Sequence, residues 1–164
     1  MGIPQCPLCS RVTDDLAVTL EARIGILKDR LVVEGVEYPI RREGGGWVSV
    51  PSLGSRPSGR VHYDALRDRI RIESSLGSTV IPFRWRGTNF NFGGQRYRIG
   101  PMAWGHVMVS RGDRPMATGR VTMHGVRLGF IAPELDPIAK ELAIGLAFRA
   151  IAIWLAVGTA GRAR

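Results

Sequence analysis

Lysine is nearly missing from this 164-residue chain, with Lys28 and Lys140 the only two in a lysine-plus-arginine total of 23. Cysteine is equally scarce: Cys6 and Cys9, in a CxxC, are the whole supply. Structural zinc wants four ligands, and His62, His106 and His124 are scattered without paired spacing. A redox dithiol needs its first cysteine at a helix N-terminus, which five preceding residues cannot build. The pair therefore reads as functionally silent and no metal is assigned; a zinc site shared across a dimer, or completed from outside the chain, is the alternative. Catalytic signatures are lacking as well: there is no G-x-S-x-G, P-loop or H-E-x-x-H. Gly87-Thr88 and Gly93-Gly94 are followed by no helix that could cradle a phosphate. The expectation is a protein that is not an enzyme and carries no cofactor. No apolar segment occurs in MGIPQCPLCSRVTDD, so a signal peptide is not expected and a cytoplasmic location is.

Positive charge is abundant. The formal net charge is +9, carried almost wholly by arginine, while 45% hydrophobic and 23% charged residues describe an ordinary globular chain. A preference for arginine over lysine follows from GC-rich coding. The excess of positive over negative charge does not, and it predicts attraction to nucleic acid or to an anionic membrane surface.

From Ala17 to Ile131 the chain is a series of short alternating runs punctuated by glycine, proline and Asp/Asn turns. Spacing of roughly 8–12 residues argues an all-β barrel or sandwich. A different signal follows. Leu135-Asp136-Pro137 supplies a helix entry, with Asp136 placed to cap it, and from Leu142 to Val157 only Arg149 interrupts an apolar run. A helix without a polar face belongs inside a protein or a membrane. Sixteen residues span about 24 Å, short of a bilayer core of roughly 30 Å, and an arginine at mid-span is costly in lipid. These terms favour a buried helix, with Arg149 snorkelling to a rim or pairing with an inward carboxylate such as Glu73. The predicted fold is mostly β: a closed antiparallel barrel of about 10–12 strands around a central helix at about 137–157. A polar lead-in over residues 1–16 precedes a single domain over 17–164.

Several local patterns carry a resemblance: Asn89-Phe90-Asn91-Phe92-Gly93-Gly94-Gln95-Arg96-Tyr97-Arg98-Ile99, then Met116-Ala117-Thr118-Gly119-Arg120-Val121, then Ile131-Ala132-Pro133-Glu134-Leu135-Asp136 before the apolar helix. Over roughly residues 60–157 the chain resembles the tubby-like superfamily, which includes LURP-one-related proteins and phospholipid scramblases. The acidic calcium-binding segment of scramblases is not found here. The resemblance implies a barrel threaded by its C-terminal helix and, for some members, binding of phosphoinositide or other lipid.

Strand arithmetic places Arg67, Arg69 and Arg71 opposite Ile70 and Ile72, Arg84 and Arg86 opposite Phe83 and Trp85, and Arg96 and Arg98 opposite Tyr97 and Ile99. The seven arginines then form one outward face and the candidate site. Trp47, Trp85, Trp104 and Phe130 fall to the core. Anionic phospholipid, at about 1 kcal/mol per basic residue, is the expected partner, the alternatives being a protein partner or a scramblase-related lipid-handling role. Nucleic acid is disfavoured, because the interleaved aromatics point away from the arginines. A tail-anchored protein whose last helix spans the membrane is the competing reading.

Overall fold

The computed structural model describes residues 19–25, 28–102 and 105–161. Cys6, Cys9 and Trp104 lie outside the described residues. Along the chain run β1 (Leu20–Arg23), β2 (Arg30–Val33), β3 (Val36–Pro39), β4 (Arg41–Arg42), β5 (Trp47–Val50), β6 (Gly59–Asp64) and β7 (Arg69–Ser74). Then follow β8 (Gly77–Pro82), β9 (Thr88–Phe92), β10 (Gln95–Ile99), β11 (His106–Arg111), β12 (Arg114–Thr122), β13 (Gly125–Ile131) and α1 (Ala139–Ala160). The fold is mostly β with one C-terminal helix. Alternation explains most of the strands: in β7, Ile70 and Ile72 are buried while Arg69 and Arg71 face outward, and in β10 Tyr97 and Ile99 are buried between exposed arginines. β3 and β4 are two short, largely exposed strands that carry little apolar alternation.

The sheet does not close. One antiparallel sheet of eight strands runs β3-β2-β1-β13-β12-β11-β10-β9, and a second of five runs β4-β5-β6-β7-β8. Neither sheet is closed, so the closed barrel expected from the sequence is not confirmed, while the mostly β content with a C-terminal helix is. The chain crosses between sheets twice, at Ile40 and over residues 83–87, and neither crossing is bridged by a strand ladder. Proline stands at both places. Pro39 and Pro82 end β3 and β8 and have no N–H to extend a ladder. Past Pro39 the Ile40 amide donates to the Asp29 carbonyl at 3.3 Å, so its side chain turns inward.

Helix α1 packs against β1 and β13 of the larger sheet and β6 and β7 of the smaller. Its first half fills the space between them: Leu142, Ala143, Ile144, Leu146 and Ala147 are fully buried. Gly145 is needed for the approach to β7, since a Cβ there would lie 2.6 Å from Ile70 Cγ2. The second half leaves the protein, with Trp154 73% and Leu155 66% exposed. The helix is therefore not threaded through the domain over its whole length. Its entry also differs from expectation. Asp136 opens a 3₁₀ turn (Asp136–Ile138) with Pro137, but its side chain makes no cap and instead holds Arg56 at 2.8 Å. Deep at this end Lys140 and Glu141 are wholly buried as an ion pair, with Lys140 Nζ also donating to the Pro57 carbonyl at 2.5 Å.

Candidate functional site

Antiparallel connectivity collects a set of loops where α1 emerges. The β1–β2 loop, the β6–β7 turn and the β12–β13 turn contribute Ile24, Ala65 and His124 beside Phe148, Ile151 and Leu155. The β8–β9 loop and the end of β10 contribute Phe83 to Thr88 and Arg98 beside Arg149. Met102 and Met123 flank Trp154 from the remaining side.

Arg149 marks the level at which the helix leaves the core. Its Nε and Nη2 donate to the two carboxylate oxygens of Asp68, both at 2.9 Å, and its guanidinium lies 4.0 Å from the Phe83 ring. The expectation of an inward carboxylate partner is met by Asp68 in the β6–β7 turn. Glu73 pairs with Arg60 instead. The Tyr63 hydroxyl donates to Asp68 at 2.9 Å, and burial together with that carboxylate pushes the phenol well above its usual range.

Five of the seven expected arginines gather at this exit end. Arg67 sits in the β6–β7 turn and Arg69 opens β7, both beside Asp64, at 3.5 Å and 3.3 Å. Burial works to raise the Asp64 carboxyl, but the Arg67 amide and the two guanidinium groups outweigh it and hold it below its usual value. Arg84 and Arg86 occupy the β8–β9 loop, and Arg98 folds over Gly87, where a Cβ would lie 3.1 Å from its Nη2. The other two lie elsewhere. Arg71 stands 5.4 Å from the Trp47 ring, which Arg60 also covers at 4.4 Å. Arg96 is paired with Asn91 next to the Gly93-Gly94 turn, at the opposite end of β10.

The single seven-arginine strand face is corrected: Arg71 and Arg96 lie apart from the other five, and Arg67, Arg84 and Arg86 are in loops. Residues 83–87 are not strand: β8 stops at Pro82, and period-2 alternation no longer applies beyond it. Trp85 is consequently 91% exposed, with Arg86 at 5.2 Å from its ring, and not in the core. Phe130 is also exposed, and Trp47 is half-buried under its arginines. Around these cations stand apolar loop tips that sequence reasoning passed over, Leu66 and Met123, both almost fully exposed. Their signal was a large apolar residue at the tip of a polar turn, in Asp64-Ala65-Leu66-Arg67 and Thr122-Met123-His124. The cations Arg23, Lys28, Arg30 and Arg42, near the helix on the β1–β2 side, were likewise missed.

Among the described residues no cluster of three His, Cys, Asp or Glu could hold a metal ion. The exit end combines exposed apolar side chains, Leu66, Trp85, Met123 and Trp154, with guanidinium groups. Helix and preceding turn, Asp136–Ala160, are long and apolar enough by length and composition to cross a membrane, with mean hydropathy 1.9, though only part of that stretch lies outside the protein core. In comparisons with known proteins, no family model, no curated protein and no solved structure matches this chain.

Proposed function

We propose that this chain is a non-enzymatic β-domain that docks end-on to an anionic phospholipid bilayer. The observation that carries the reading is the continuation of an apolar helix past its own core, at the end where exposed Leu66, Trp85 and Met123 meet five arginines. Soluble domains rarely leave such a surface bare. Tryptophan favours the headgroup boundary, and basic residues add about 1 kcal/mol each near anionic lipid. The tubby-like resemblance points the same way.

Length decides between insertion and spanning. Residues 151–160 reach about 15 Å at 1.5 Å per residue, half of a roughly 30 Å core. Spanning would require pulling Leu142 to Ala147 out from between the two sheets. Entry into one leaflet is therefore favoured over a tail-anchored span. Nucleic acid is the weaker partner on different grounds from those of the strand pattern. Trp85 does stand beside Arg86 and could stack on a base, but Leu66, Met123, Leu155 and Val157 have no role in base stacking.

Liposome flotation tests the reading. Wild type should float with phosphatidylserine vesicles, less so as salt rises, and little with phosphatidylcholine alone. Arg84→Glu with Arg86→Glu should weaken association at least about 30-fold, two contacts of about 1 kcal/mol each being lost and two repelled carboxylates added. Trp154→Asp should weaken it through the apolar contact. Wild type that ignores anionic vesicles at low salt would sink the proposal, as would tight binding to single-stranded oligonucleotide with none to vesicles.

A further inference from the structure

A cleft of about 970 Å³ opens beside α1 where the helix leaves the sheets, at the upper end of the range for ligand sites. One wall is apolar. Phe148, Ile151, Ala152 and Leu155 fall at i, i+3, i+4 and i+7 and form a single helix stripe, with Ile24 facing it. The rim is cationic: Arg23, Lys28, Arg30 and Arg42 line it, and among the described residues no carboxylate does.

The neighbouring acids are spoken for. Asp29, buried, is held by Arg42 at 2.5 Å, Glu37 by Arg30 at 3.1 Å, and Glu21 by both Arg23 and Arg127, at 3.2 Å and 3.0 Å. Burial works to raise the Glu21 carboxyl, but its two arginines outweigh that and hold it ionised. Lys28 has no partner among the described residues. Four cations on the rim, with Arg127 sharing Glu21, outnumber the three carboxylates and leave Lys28 as the unpaired rim cation, so the cleft mouth is net positive and suits a phosphate headgroup.

We infer that this cleft holds one molecule of a lipid with a phosphomonoester headgroup, the phosphate at Lys28 and its neighbouring arginines and the acyl chain along Phe148, Ile151, Ala152 and Leu155. Charge complementarity selects the headgroup and the helix stripe selects the chain. A free phosphate would leave the apolar wall wet, and an uncharged lipid would leave the cations unanswered. The inference rests on the docking reading only for where such a lipid is met. The site itself is separate from the Arg84 and Arg86 loop.

Titration calorimetry of the full chain with lauroyl lysophosphatidic acid, kept monomeric and without any bilayer, tests it. One molecule should bind per chain. Lys28→Glu should weaken binding tenfold or more through charge, and Ala152→Trp should do so by filling the cleft, with a cooperative thermal transition confirming that each variant is folded. Monolaurin and inorganic phosphate should each bind at least tenfold more weakly than the lysophospholipid. Unchanged affinity in folded Ala152→Trp, equal affinity for monolaurin, or equal affinity for phosphate would overturn the assignment. Because no vesicle is present, loss here with flotation intact overturns the cleft alone. Binding here without flotation supports the cleft and removes the docking reading.

Discussion

Separating Arg149 from Asp68 should cost the protein about 2 kcal/mol, roughly 1.5 of it specific to the pair. Two hydrogen bonds of 2.9 Å join the groups in a bidentate fork, with Arg149 17% and Asp68 39% exposed. Opposite unit charges about 4 Å apart at an effective dielectric of 20 attract by about 4 kcal/mol. Partial exposure of Asp68 and the entropy of ordering an arginine remove more than half of that. Packing over Phe83 at 4.0 Å adds a smaller cation–π contribution, about 0.5 kcal/mol, that Arg149→Met loses and Asp68→Asn does not. Asparagine suits position 68 because the backbone there is left-handed, φ 45°, a conformation that Asn and Asp tolerate. Urea unfolding followed by far-UV circular dichroism, on the wild type, both single variants and the double variant, yields the coupling energy. Arg149→Met should lose about 2 kcal/mol, Asp68→Asn about 1.5, and the double variant little more than Arg149→Met alone. A coupling below about 0.3 kcal/mol would refute the argument that this pair pins the helix at its exit.

Gly145→Ala should destabilise by about 1 kcal/mol: overpacking against fully buried Ile70 costs about 1–3 kcal/mol, and the better helix propensity of alanine returns about 1. A gain in melting temperature would mean that the helix is not seated on β7. Burial raises the Glu141 carboxyl above its ordinary 4.5, with Lys140 opposing but not outweighing it. The folded state therefore holds that proton longer, and this group's contribution to stability is full below 4.5 and lost as pH rises through the folded value. Glu141→Gln should flatten that fall in a melting-temperature series begun at pH 4.5, and parallel wild-type and variant curves would count against it. Cys6→Ser with Cys9→Ser should change stability by less than about 1 kcal/mol; stoichiometric zinc in purified protein would contradict that.

The apolar run after Pro137, the turn glycines and the alternation in β7 and β10 were legible in the chain, because burial on one strand face and the lack of a polar helix face are local patterns. Core assignments failed at Trp85 and Phe130, which are exposed, and in part at Trp47. A period of two says nothing about where a strand ends, and the hydrogen bonds beyond Pro82 decide that. Arg96 and Arg98 were placed on the correct face, yet only the fold separates them, one folded over Gly87 at the exit end and the other beside the far turn. The exit site itself draws on loops from residue 24 to residue 124, which no spacing rule connects.

What the sequence by itself determined is the inventory: a β-rich chain, one helix apolar on every side, and an arginine excess that makes the chain net positive. What only the tertiary structure decided is closure and depth. Two sheets remain open at Ile40 and at residues 83–87, because pairing across a seam depends on how distant edges meet. A helix uniformly apolar along its length carries no mark of where the core ends. The reach of the sheets around it sets that point, at Arg149 and its Asp68 partner, and leaves Trp154, Leu155 and Val157 outside.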